Sequence, residues 1–114
     1  MSTSSAHADA FFRELGLDGS VWTIEDDEGV PAPRGTDGAR AMPFWSRESR
    51  ARRVIENVPA YAGFRTREIP RAEFEFRWLP GLSADGLLIG LNWAGDRATG
   101  FDSTVADFTA RLNA

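Results

Sequence analysis

The 114-residue sequence contains no cysteine and no lysine, and all 13 of its basic residues other than histidine are arginine. Without cysteine, the chain has no thiol nucleophile, no disulfide and no thiolate metal site. Without lysine, it forms neither a Schiff base nor a Walker A phosphate loop. Its single histidine, His7, lies in a polar N-terminal segment, which argues against a catalytic triad or a zinc site. The sequence therefore predicts no catalytic residue set, no metal site and no cofactor.

Long apolar runs are also missing from the sequence. It has no window of about 18 apolar residues, and its first residues lack the basic and apolar regions of a signal peptide. We therefore expect a cytoplasmic protein without a membrane partner. A composition of 42% hydrophobic and 26% charged residues is typical of a globular domain. We expect one domain over residues 1–114, with residues 1–5 flexible.

Charge is distributed unevenly along the chain, whose net charge is -4. Residues 1–38 carry eight acidic and two basic residues, for -6, and residues 39–77 carry five acidic and nine basic residues, for +4. The remaining residues carry four acidic and two basic residues, for -2. Intramolecular pairing of the acidic first third with the arginine-rich middle is the simplest interpretation. Because nucleic-acid-binding proteins usually have a basic patch that is not neutralised nearby, we expect no nucleic-acid partner.

Apolar spacing indicates where the first helices lie. Residues 5–15 and 46–58 each carry apolar side chains at i, i+3, i+4 and i+7, the pattern of an amphipathic helix. Gly16 and Gly19 are expected to end the first helix. Ser46 is expected to cap the second, because its hydroxyl can accept a bond from a free N–H group of the first turn.

Short runs of β-branched and aromatic residues predict about four strands. They lie at residues 21–24, 39–45, 64–69 and 87–93. The last run is the most apolar and is expected to form a central strand, in which Gly90 indicates a bulge or a close backbone approach. We predict a loop over residues 94–100 and a final helix that starts near Asp102 or Ser103.

The segment 71–79 fits two structures. Strict alternation over residues 73–78 favours a strand, while apolar pairs four residues apart and Pro70 before the segment favour a helix. The order α-β-β-α-β-α-β-α includes the helix. This order predicts an α+β fold, a single two-layer domain with a mixed sheet of about four strands and about four helices.

Several long segments of the chain are similar to one known family. These segments are residues 21–33, 41–51, 57–64, 78–82 and 90–102. Together they resemble a family of small bacterial proteins called domain of unknown function 2750. Residues 42–51 are also similar to the strand–helix motif of SseB-like bacterial domains. The main resemblance implies a helix at residues 71–79, and it implies no activity, substrate or catalytic residue.

Two charged segments are candidate binding sites. Residues 25–29 carry the carboxylates that Mg²⁺ and Ca²⁺ prefer, but without the spacing of a calcium-binding loop, so a solvated hairpin turn is the simpler interpretation. Arg47 and Arg50 lie in the first turn of the second predicted helix, where cations are unfavourable and free N–H groups attract anions. They predict either an anion site or ion pairs with residues 25–28 or with Glu48 and Glu56.

The segment 95–100 follows the most apolar predicted strand, and ligands often bind beyond the carboxyl ends of such strands. Its glycines allow the backbone to approach a ligand closely. Arg97 supplies a forked donor for a carboxylate or phosphate, and Asp102 is placed to orient it. The alternative is a plain connection in which Arg97 pairs with Asp96 or Asp102.

Four tryptophans are many for a chain of 114 residues. Trp22, Trp45 and Trp93 lie within or at the end of predicted strands. There they would line one aromatic pocket, form an interaction surface or fill the core. If Trp22 and Trp45 belong to adjacent strands, they are cross-strand neighbours and require no ligand.

Two hypotheses for function remain. The first is a non-catalytic protein-interaction or ligand-binding module, regulatory or of the immunity-protein kind, whose partner is a protein or a small anionic ligand. The alternative is a small enzyme that acts on an anionic molecule through the carboxylate and arginine chemistry of Asp26, Arg97 and Asp102. A pocket that joins the tryptophans to Arg97 and holds a carboxylate of raised pKa favours the enzyme, and a filled core with an apolar surface patch favours the module. The candidate binding residues are Trp22, Trp45, Arg47, Arg50, Trp93, Arg97 and Asp102.

Overall fold

The computed structural model describes residues 3–114, and among them the side chains of all except residues 3, 4, 17 and 18. The helices are α1 (Thr3–Asp18), α2 (Glu48–Asn57), α3, which runs through the segments Arg71–Glu73, Phe74–Trp78 and Leu79–Ala84, and α4 (Val105–Leu112). The strands are β1 (Ser20–Glu25), β2 (Ala41–Phe44), β3 (Arg65–Pro70), β4 (Leu88–Ala94) and β5 (Thr99–Ser103). The predicted α+β class is confirmed. The predicted flexible stretch falls partly on residues 1 and 2, which lie outside the described residues.

The strands form two small sheets. In the first, β1 pairs antiparallel with β3, and in the second β4 lies between parallel β2 and antiparallel β5. A bridge between Trp22 and Trp45 joins the sheets, because each backbone N–H donates to the other residue's carbonyl at 2.7 Å. The two tryptophans are therefore cross-strand neighbours, as the sequence predicts for adjacent strands.

Two apolar clusters hold the layers together. The larger cluster is formed by Ala8, Phe11, Leu15, Val21, Phe44, Ile69, Phe74, Leu79, Leu82, Ile89, Leu91 and Phe108, and the smaller by Ile24, Ala41, Trp45, Ala51, Val54, Val58, Trp93 and Ala98. Alternate residues of β2 face opposite sides of the sheet, so Phe44 enters the larger cluster and Ala41 the smaller. Helix α2 therefore packs on the smaller cluster, while the other helices pack on the larger one.

The main departure from the predicted elements is β5. Residues 95–98 form a turn, with positive φ of 82° at Gly95 and 50° at Ala98, and β5 then pairs with β4. Helix α4 consequently begins later than predicted, with Thr104 Oγ1 accepting a bond of 3.0 Å from the N–H of Asp107. The strand escapes prediction because Phe101 is its one large apolar side chain, so no alternation marks it.

Helix α3 confirms the helical structure that the family resemblance implies for residues 71–79. Its middle segment is a π-helical turn, in which Phe74 is 1% exposed and Phe76 is 80% exposed. The alternation of apolar and charged residues therefore does not follow the faces of a strand. Among residues 3–114, none of the helices combines the length and the apolar character needed to cross a bilayer.

The structure confirms the predicted end of α1 at Gly19, though not at Gly16, and it contradicts the predicted cap of α2. Helix α1 continues through Gly16 and ends at Asp18, where Gly19 takes a positive φ of 70° and donates its N–H to the Leu15 carbonyl. The N-cap residue of α2 is Arg47, and no side chain caps this end. The prediction for Ser46 is wrong because its hydroxyl donates to a carboxylate from α1 instead.

Candidate ligand pocket

A cavity of about 420 Å³ lies between the loop before β2 and the turn that joins β4 to β5. The tip of this loop is held by a hydrogen bond of 3.0 Å, which the Ala39 N–H donates to Asp37 Oδ1. In this conformation the loop reaches the cavity. The 3₁₀ turn Pro59–Tyr61, which follows α2, supplies a further wall. The polar and aromatic side chains that line the cavity include Arg34, Asp37, Tyr61, Trp93, Arg97 and Asp102.

Asp102 and Trp93 are linked inside this cavity. The indole Nε1 of Trp93 donates a bond of 2.8 Å to Oδ1 of Asp102, across the β4–β5 pair. Partial burial raises the pKa of the Asp102 carboxyl above its ordinary value; the bond from Trp93 opposes this effect, and the nearby charge of Asp37 adds to it. The cavity therefore contains two neighbouring carboxylates, one of which is held in position by an indole.

Arg97 brings a positive charge to the same cavity. Among the described side chains, no ion pair or hydrogen bond engages its guanidinium group, and the alternative pairing with Asp96 or Asp102 is not formed. Arg34 differs, because its Nη1 atom donates a bond of 2.8 Å to the carbonyl of Gly38 and is thereby held by its own loop. Arg97 is thus free to form two parallel bonds with a carboxylate or phosphate.

Tyr61 forms part of the cavity wall. Its ring meets Phe64 edge to face, with 5.3 Å between ring centroids, and burial raises the pKa of its phenol above the ordinary value. The phenol of this lining residue therefore stays protonated and neutral at neutral pH.

Arg47 and Arg50 lie outside this cavity, at the start of α2. Both contact Glu14 of α1: Arg50 donates two bonds of 2.9 and 2.7 Å, and Arg47 Nε lies 3.4 Å from the same carboxylate. The prediction that these arginines form intramolecular ion pairs holds, but their partner is Glu14 and not one of the acidic residues that the sequence suggested. Arg50 and Trp93 also line a second cavity of about 310 Å³, between α2 and the β4–β5 turn.

Glu14 belongs to a buried polar network that joins α1, α2 and β4. The hydroxyl of Ser46 donates to Glu14 Oε1 at 2.5 Å, and the N–H of Ser46 donates to Asn92 Oδ1 at 3.0 Å. Bonds from Arg50 lower the pKa of Glu14 to about 2, burial opposes this, and the bond from Ser46 and the charges of Arg50 and Arg47 lower it further. This network explains the positive φ of 52° at Asn92, since it turns the amide toward Ser46.

The three tryptophans do not share one pocket. Trp45 is 0% exposed and donates its indole N–H to the Trp93 carbonyl at 2.8 Å, so it fills the core and offers no surface to a partner. Trp22 is partly buried and packs against the smaller apolar cluster. Trp93, which is 7% exposed, lines the 420 Å³ cavity together with Arg97 and Asp102. Of the candidate residues, these last three are therefore brought together.

Comparison with known proteins identifies the family of this chain. A family model described as protein of unknown function (DUF2750) matches residues 8–112, nearly the whole chain. The chain belongs to this family. No curated protein matches it. Because the family description states no activity, the DUF2750 chain must be interpreted from its own site.

The acidic turn of this DUF2750 chain is built as a hairpin turn. Asp26 and Gly29 pair through their backbones, and Asp26 Oδ1 accepts a bond from the Glu28 N–H at 2.9 Å. Glu25 lies 3.6 Å from Arg65 and 3.0 Å from Arg67, both on β3. In the described part of the chain, no group of three or more His, Cys, Asp or Glu side chains is arranged to hold a metal ion.

Sequence reasoning missed several residues of the pocket. Asp37 and Arg34 lie in the segment between β1 and β2, which is rich in glycine and proline, and that composition is the one sequence signal that marks it as a loop. Asp26, which the enzyme hypothesis combined with Arg97 and Asp102, is not among the lining residues, whereas Asp37 is. His7 packs beside Gly100 of β5, with Nδ1 buried and without a hydrogen-bond partner in the described residues.

Proposed function

We propose that this chain is a non-catalytic binding module that holds a small charged molecule in the 420 Å³ cavity. One observation carries the proposal: an arginine whose guanidinium has no partner among the described residues, Arg97, shares a cavity with Asp102 and Trp93. Its volume lies within the range of about 300–1,000 Å³ that is usual for small-molecule sites. A few polar groups beside aromatic walls are also the usual lining of such sites.

A small molecule in the cavity is a better candidate than a protein partner that binds at the residues first considered for an interface. Trp45 is buried, and Arg50 is bound to Glu14, so neither is available as an anchor for another protein. The proposal includes the regulatory role and the location in the bacterial cytoplasm that the sequence predicts. An anionic group on the ligand would bind Arg97 through parallel N–H bonds.

The test measures the binding of small carboxylates and inorganic phosphate. Binding is monitored by tryptophan fluorescence and by amide chemical shifts. We expect Arg97→Ala to weaken binding about tenfold to a hundredfold, because bonds to charged groups contribute roughly 1.5–3 kcal/mol. Arg13→Ala is the matched control, since Arg13 is exposed on α1 and away from the cavity. Equal losses in the two variants, or none in Arg97→Ala, would contradict the proposal.

A second candidate function is a small enzyme that acts on the same ligand. The raised pKa of Asp102 favours it, because general acids and bases have pKa values shifted toward neutrality. In this case Asp102→Asn would abolish turnover but retain the bound ligand. If a ligand recovered from the wild-type protein after long incubation is chemically unchanged, the binding module is supported and the enzyme is not.

A further inference from the structure

We infer that the ligand of the 420 Å³ cavity is a zwitterion of the amino-acid type, with its ammonium group between Asp37 and Asp102 and its carboxylate on Arg97. This inference rests on the proposed function, and it specifies the chemical class of the ligand. Four observations support it: the two carboxylates, the arginine, the aromatic wall and the balance of charge.

The two carboxylates lack a cationic partner within the described chain. Asp37 accepts a bond from a backbone N–H and Asp102 accepts one from the Trp93 indole, and each uses its Oδ1 atom. No hydrogen bond or ion pair of the described residues reaches either Oδ2 atom. Both residues line the same cavity, and the charge of Asp37 contributes to the raised pKa of Asp102. A cation bound between them would relieve this repulsion.

The aromatic wall favours an organic ammonium group over a metal ion as that cation. Tyr61 and Trp93 line the cavity beside Asp37 and Asp102. Aromatic rings attract ammonium groups at their faces, whereas a divalent metal ion coordinates oxygen atoms and gains nothing from an indole wall.

The charges of the cavity favour a ligand that carries both signs of charge over a ligand with charge of one sign. A simple dianion would meet the repulsion of Asp37 and Asp102, and a simple diamine would meet the repulsion of Arg97 and Arg34. A molecule with both charges pairs each with its opposite. Because Arg34 is already bound to Gly38, we assign the ligand carboxylate to Arg97.

The experiment uses ligands matched in length and different in charge. The amino acids glycine, β-alanine, 4-aminobutyrate and 6-aminohexanoate are each compared with the carboxylic acid and the amine of the same chain length, by calorimetry on the full chain. We expect the best amino acid to bind roughly tenfold or more tightly than its matched acid and amine, because it forms one further charge-assisted interaction.

Variants locate the two charges of the ligand. Asp102→Asn retains an acceptor for the Trp93 indole, and we expect it to remove the preference for the amino acid over the matched acid. Asp37→Asn gives an independent test of the same carboxylate pair. Asp85→Asn changes an exposed aspartate that does not line this cavity, and we expect it to leave the preference unchanged.

The possible outcomes distinguish a failure of the zwitterion inference from a failure of the proposed binding function. If the acids bind as tightly as the amino acids and lose affinity in Arg97→Ala, the inference is overturned and the binding function is supported. If the amines bind as tightly as the amino acids, the inference is overturned as well. If no probe, phosphate included, binds even at millimolar concentration, both fail.

Discussion

Replacing Glu14 with glutamine is expected to lower the free energy of unfolding by about 2–4 kcal/mol. Glu14 is 8% exposed, and its carboxylate accepts two bonds from Arg50 and one from Ser46. Glutamine has the same shape but no charge, so Arg50 loses its counterion while it is still partly buried. Urea unfolding, with a lower midpoint and an unchanged slope, measures this loss.

The matched control is Glu48→Gln. Glu48 also pairs with an arginine, Arg52 at 3.0 Å, but the two side chains are 40% and 56% exposed. Water screens such a pair, so we expect a loss below about 1 kcal/mol even with the bond from Thr66 to Glu48. A loss in Glu14→Gln no larger than that in Glu48→Gln would show that the buried network does not stabilise the fold.

Glu14 also predicts the response to acid. Its pKa falls from the ordinary value of 4.5 to about 2 in the folded chain, so its contribution is complete above pH 4.5 and disappears as the pH falls toward 2. The difference corresponds to roughly 3 kcal/mol. Glu14→Gln should therefore lose less stability than the wild type between pH 5 and 2. If the free energy of unfolding of the two proteins falls equally over that pH interval, the lowered pKa of Glu14 is contradicted.

The ion pairs illustrate how far the sequence predicts this structure. Opposite net charges in the first and middle thirds predict the pairing, and the contacts of Glu14 and Glu25 with arginines confirm it. The sequence offers several acidic partners for Arg50, and charge alone cannot choose among them. The choice is made by packing, because the apolar face of α1, with Phe11 and Leu15, places Glu14 over the start of α2.

The residues of the pocket also differ in how far the sequence predicts them. Arg97 and Asp102 are predictable because they follow the most apolar strand, whose end forms one side of the cavity. Asp37 and Tyr61 come from distant parts of the chain, and the glycine- and proline-rich composition around Asp37 does not show that the two residues meet. Their approach depends on the pairing of β2 with β4, which is a long-range contact that periodicity does not report.

Replacing Gly90 with alanine is expected to lower the free energy of unfolding by about 3 kcal/mol and to abolish the proposed ligand binding in the pocket. Gly90 lies in the middle of β4, where the sequence predicts a bulge or a close approach. A Cβ atom there would lie 2.5 Å from Cζ2 and Nε1 of the Trp93 indole, which folds back over it. Because Trp93 is 7% exposed, the ring cannot move without breaking its bond to Asp102, and overpacking of this kind costs about 1–3 kcal/mol before the lost bond is counted.

Gly81→Ala is the control for this change. Gly81 lies in the Leu79–Ala84 segment of α3, and a Cβ atom there meets no other atom within 4 Å. Alanine is the better helix former, so we expect this variant to gain up to about 1 kcal/mol in urea unfolding. Tryptophan fluorescence should change in Gly90→Ala and not in Gly81→Ala, since one substitution displaces an indole. If Gly90→Ala instead retains wild-type stability and fluorescence, then β4 shifts to admit the methyl group, and the indole of Trp93 is not what fixes Asp102 in the pocket.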